Sequence, residues 1–356
     1  MKRRISLTLP LFFFLFSLSG CGYAGPEKAV REELNLIRGM NTDTITSFLT
    51  HEEGSLFHED IQENVADIAE AIKLFYKDFK FKILSSSLSE DGSTSTVHVQ
   101  ITNLDAEQLA KDLCRGMIES SLTSSSETDV SLAACLSMMQ QYLTEHSYDR
   151  KTTEIDIQLT KKDEEWYLVE DAALADGLTG GLVAFLNDRY LLSPKEALDI
   201  TLSHFSDFTA VQWKSYLNVN DIFQVNSDLS EKLDGLLLEQ ISSLFSYQIG
   251  ESRIDGDTAE VTLYLTSLDL EPIMQTYRAS LLDYAKTTES IRASEDELTQ
   301  KTGEILMEAL NTKKQSTVHT IQVPLYNNGH FWVAVLNDSF TDALLGGISG
   351  AVEALD

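Results

Sequence analysis

Few side chains in this 356-residue chain are placed to do chemistry together. Its seven histidines are His51, His58, His98, His146, His204, His319 and His330. Only His51 and His58 stand near one another, seven positions apart among Glu52, Glu53, Glu59 and Asp60, the nearest approach to a metal-binding set. A matching stretch further along has Val219 and Asn226 in their places, so no metal is expected there. No HExxH pair, CxxC pair, Walker-type phosphate loop or GxSxG elbow occurs. No catalytic set and no cofactor are therefore assigned. Trp166 and Trp332 each follow a polar turn and close a strand, which suits a core residue or the wall of a pocket between sheet and helix.

Composition excludes some partners. Lys2, Arg3 and Arg4 lie ahead of an apolar run, Ile5 to Leu18, that is broken only by Ser6, Thr8, Pro10 and Ser17. That run is shorter than the roughly 20 residues of a membrane-spanning helix and reads as a secretory signal over residues 1–20. Its removal leaves 24 basic residues against 56 acidic ones, a formal charge of −32. Such a body repels nucleic acid and anionic lipid surfaces. Carboxylates clustered on a Gly-containing loop with calcium-ligand spacing are not found.

Leu18, Ser19, Gly20 and Cys21 resemble the lipobox of bacterial lipoproteins. The resemblance implies cleavage before Cys21, a diacylglyceryl thioether on its sulfur, and attachment to the outer face of the cell membrane. Residues 21–25 then serve as anchor and linker. Cys114 and Cys135 remain, equidistant from the polar turn Leu122 to Asp129 between two helix-like segments. An antiparallel helix pair would bring them face to face, so a disulfide is the expectation in an oxidising compartment and two buried thiols the alternative.

The elements that would position these residues are written twice. Pro26, Ala29, Val30, Leu34, Ile37 and Met40 match Pro194, Ala197, Leu198, Leu202, Phe205 and Phe208 at a shift of 168. Apolar residues at this spacing after a first-turn proline predict an amphipathic helix. A second helix follows, then alternating residues: Phe81, Ile83, Gly92, Val97, Val99 and Ile101 match Phe245, Tyr247, Gly256, Val261, Leu263 and Leu265 at a shift of 164. This period predicts a hairpin turning at a glycine. Helix pairs are expected over 105–122 with 128–147 and over 269–288 with 294–313. A second hairpin contains Ile155, Ile157, Leu159 and Trp166 or Ile321, Val323, Leu325 and Trp332, at a shift of 166. Asp176, Gly180 and Gly181 match Asp342, Gly346 and Gly347 at that same shift.

The expected fold is α+β: two tandem repeats, 26–188 and 189–356, each an antiparallel four-stranded sheet packed against helices with an inserted helix pair. The element order is similar to the cystatin-like or nuclear-transport-factor-like fold of many lipoproteins of Gram-positive bacteria without an assigned activity. With no catalytic set in either repeat and polar residues that differ freely between them, the expected function is a non-catalytic binding or scaffolding module for an envelope protein or a small apolar ligand. An enzyme using a pocket between sheet and helices of one repeat is the alternative. A transporter's solute receptor is disfavoured, because those lobes are built of parallel βαβ units rather than hairpins.

Overall fold

Pro26 at its first turn starts α1 (Pro26–Arg38), whose buried stripe is Ala29, Val30, Glu33, Leu34 and Ile37. The computed structural model describes residues 25–50, 65–123, 132–217, 227–312 and 315–353, so Cys21, His51 and His58 lie outside the described residues. After α1 come α2 (Thr42–Thr50), α3 (Val65–Phe75), β1 (Lys80–Leu88), β2 (Thr94–Leu104), α4 (Ala106–Thr123) and α5 (Leu132–Glu145). β3 (Arg150–Lys162), β4 (Glu165–Leu168), α6 (Ala172–Leu178) and α7 (Leu182–Asn187) complete the first unit. The strands form one antiparallel sheet in the order β1-β2-β3-β4. α1 lies on its inner face, where Val97, Val99, Ile101, Ile157, Leu159 and Trp166 are buried with Val30 and Leu34. Each such side chain contributes about 1.5–3 kcal/mol on full burial.

The second unit begins with a stronger helix signal. Ser193 accepts from the Glu196 backbone N–H while the Glu196 carboxylate accepts from the Ser193 N–H, a capping box around Pro194. The elements are α8 (Pro194–Ser203), α9 (Ala210–Leu217), α10 (Ser227–Leu244), β5 (Ser246–Asp255), β6 (Thr258–Leu268), α11 (Leu270–Ala285) and α12 (Thr288–Arg292). α13 (Glu295–Thr312), β7 (Ser316–Asn327), β8 (Trp332–Ala334), α14 (Asp338–Leu344) and α15 (Ile348–Glu353) follow. The sheet order is β5-β6-β7-β8, again antiparallel. The chain divides into compact units at Leu192/Ser193, four residues beyond the expected 188/189. Phe205 and Phe208, expected to extend the first helix, lie past its end and pack around the fully buried Trp213.

The central ladders share one register. β2 pairs with β3 from Thr94↔Thr160 to Leu104↔Arg150, and β6 with β7 from Thr258↔Tyr326 to Leu268↔Ser316. These are the same pairs once 164 is added on one strand and 166 on the other. The first hairpin departs from the expected equivalence. Phe81 faces Ile101, whereas Tyr247 faces Leu265, so Tyr247 rather than Phe245 stands where Phe81 does. The two-residue difference lies in the turns. Ser89 bonds Thr94 around Glu90 to Ser93, while Asp255 pairs with Thr258 around only Gly256 and Asp257. A strand pattern has period 2, so a slip of two keeps every side chain on its face and leaves no trace in hydrophobicity.

Candidate functional site

The sheets are one-sided. In each unit the helices cover the inner face, and the alternate residues point to an outer face on which, apart from Leu104 and Leu268 at the ends of β2 and β6, no described residue of β2, β3, β6 or β7 is buried. In the first unit that face has a charged centre. His98 of β2 is in register with Asp156 of β3, and its ring nitrogens contact Asp156 Oδ1 at 2.7 Å and Glu154 Oε2 at 3.0 Å. Ser85 of β1 stands in register on the other side, with Lys82 two pairs further along, opposite Gln100. Thr96 donates to Gln158, and Thr102 bonds Thr152. Sequence inspection passed over this cluster because the three residues are 56 and 58 positions apart and meet only through strand pairing.

Hydrogen bonds from His98 to Asp156 and Glu154 raise its pKa above the ordinary 6.5. A raised folded value means that the bridge stabilises fully below about 6.5 and that this stabilisation is lost as pH rises through the folded pKa. Stability of the native protein should therefore fall across that window, and His98→Gln should flatten the fall. An NMR titration placing the His98 midpoint at or below 6.5 would contradict the bridge.

Equivalent positions of the second unit lack these charges. Thr262 and Gln322 stand where His98 and Asp156 do, bonded to each other at 3.1–3.2 Å. Thr320 replaces Glu154, and Tyr264 replaces Gln100.

Trp166 and Trp332 are buried on the inner faces, 5% and 1% exposed. β4 packs against α1 and β8 against α8, so both indoles sit between sheet and first helix. The expected disulfide is not formed: Cys114 and Cys135 are both buried thiols. Gly116 of α4 lies against the side-chain ends of Met138 and Tyr142 of α5, so the two helices are packed together at this level. Burial pushes the Cys135 thiol up to about 11. Both thiols should resist alkylation in the native protein and react after unfolding; a native mass lower by two hydrogens would restore the disulfide.

The paired glycines are turns. Gly180, Gly181, Gly346 and Gly347 all have left-handed φ, between +65° and +91°. Gly181 N–H bonds Asp176 O and Gly347 N–H bonds Asp342 O, both at 2.8 Å. The carboxylates then accept from Ala184 N–H at 2.8 Å and Ser349 N–H at 2.9 Å, starting α7 and α15. Each Asp-Gly-Gly set therefore joins two short helices.

Among the described residues no group of three or more His, Cys, Asp or Glu side chains could hold a metal ion. No described helix is long and apolar enough to cross a membrane.

No family model and no curated protein matches the chain. Among solved structures, it is similar at a TM-score of 0.26 and 13% identity to YcdA of Bacillus subtilis subsp. subtilis strain 168, described as a candidate lipoprotein. That match covers 75% of this chain and 95% of YcdA.

Proposed function

We propose that this protein is a lipid-anchored extracytoplasmic lipoprotein, two fused copies of one cystatin-like or nuclear-transport-factor-like body, which acts as a non-catalytic binding module for an envelope component. The anchor rests on Leu18-Ser19-Gly20-Cys21 behind a basic, apolar leader. The binding role is carried by one contrast between the units. Their inner faces hold matching apolar residues in one shared register, and their open outer faces carry different chemistry at the same positions. Packing constrains the first set, whereas a surface free of packing can be fitted to a separate partner.

The test is a photo-cross-linking side chain placed at Gln100 or at Thr262, one on each outer face, in the anchored protein in intact cells. A defined adduct from either position is the expected result. Its absence from both overturns the binding role.

A further inference from the structure

On the outer face of the second unit the charges gather at β5, where Glu251, Arg253 and Asp255 lie, and the part made by β6, β7 and β8 is almost uncharged. Its outward positions on β6 are Thr258, Glu260, Thr262, Tyr264 and Thr266, and on β7 Ser316, Val318, Thr320, Gln322, Pro324 and Tyr326. Glu260 is the one charge among them, and Arg253 of β5 stands in register beside it. Val333 of β8 pairs with Tyr326, and Val335 bonds back to Pro324, which extends the same surface to the sheet edge.

Two tyrosines give this face its shape. Tyr264 is 37% exposed, and its ring lies over Gly250 of the neighbouring strand, where a Cβ would meet ring atom Cε2 at 2.9 Å. A glycine at a strand irregularity thus lets the ring lie along the sheet with one face towards solvent. Tyr326 is 44% exposed and lies six residues further along β7 than Thr320, the partner of Tyr264. At about 3.4 Å per residue the two rings are about 20 Å apart. The bonded Thr262 and Gln322 lie between them, presenting hydroxyl and amide groups.

We propose that this face binds an uncharged glycan chain laid across the strands' outer side. The inference rests on the binding role above and is independent of the anchor. Sugar rings offer C–H faces for the tyrosines and hydroxyls for the Thr and Gln groups. A neutral chain meets no repulsion from the acidic body, unlike a polyanion, and finds little opposite charge to select a basic partner. The surface is the open side of a sheet, unlike the clefts that enclose small apolar ligands. From Val318 to Tyr326 across three strands it covers roughly 400 Å², by strand rise and spacing. That is about half the 800 Å² per partner of a stable protein interface, so a second copy fits it less well than a slender chain does.

The experiment is calorimetric titration of the detergent-solubilised mature protein with cellohexaose and with chitohexaose, at low and high salt. At least one hexasaccharide should bind, with an affinity insensitive to salt. Tyr264→Ala and Tyr326→Ala should each weaken binding roughly tenfold, about 1.4 kcal/mol. Tyr264→Phe should bind as the parent does, which separates loss of the stacking ring from loss of the fold. Failure of both sugars to bind, or binding unaffected by both alanines, overturns the proposal. The Thr262 cross-link separates this from the broader role. A carbohydrate adduct supports the glycan, and a protein adduct or a second copy overturns it while the binding role stands. Silence at both Thr262 and Gln100 removes the two together.

Discussion

Cys21→Ser is expected to move the protein from the membrane fraction to the medium, or to leave it as an unprocessed precursor, with none carrying lipid. The effect should be large. No described helix can span a bilayer, and the chain's formal charge of −29 opposes contact with anionic lipid. Each buried methylene of an acyl chain contributes about 0.8 kcal/mol, so one chain holds marginally and two hold firmly. Loss of both therefore removes the firm hold. Fractionation with mass measurement of the mature N-terminus reads the result. Unchanged membrane retention of a processed Cys21→Ser chain would sink the anchor.

Legibility followed the physical period of each signal. Pro26 and Pro194 marked helix starts, because a proline at the first turn gives up only an N–H without an intrahelical partner. The alternation of Val97, Val99 and Ile101 fixed which face of β2 is buried, and the shared ladder followed from its match with Val261, Leu263 and Leu265. The same period hid the longer turn at Glu90 to Ser93, since a shift of two leaves the pattern intact. The spacing of Cys114 and Cys135 could not fix their pairing, because distance from a turn says nothing of how two helices slide along each other. Phe205 and Phe208 continued an apolar spacing past the end of α8, and it is the aromatic packing on Trp213 that places them. The outer faces were illegible. Their residues are polar or mixed, show no period of their own, and become neighbours only when strands far apart in sequence pair.

Gly346→Ala should be the most damaging small substitution at the matched glycines, and Gly180→Ala, at the equivalent position, should be much milder. Both have left-handed backbones, with φ of +79° and +65°, and a side chain there costs roughly 1–2 kcal/mol. The surroundings separate them. At Gly180 an added Cβ would meet the Ala106 Cβ at 3.7 Å, an ordinary contact. At Gly346 it would strike the backbone oxygen of Leu268 and approach Leu270 Cγ at 3.1 Å. That backbone cannot yield cheaply. Leu268 ends the central strand β6, and Leu270 N–H bonds Gly346 O, tying the turn to the start of α11. Overpacking of this kind adds about 1–3 kcal/mol, giving a total of about 2–5 kcal/mol for Gly346→Ala against about 1–2 kcal/mol for Gly180→Ala. Chemical denaturation of the two variants measures the difference. Equal losses would mean that the close approach of the Gly346 turn to β6 is not what sets its residue type.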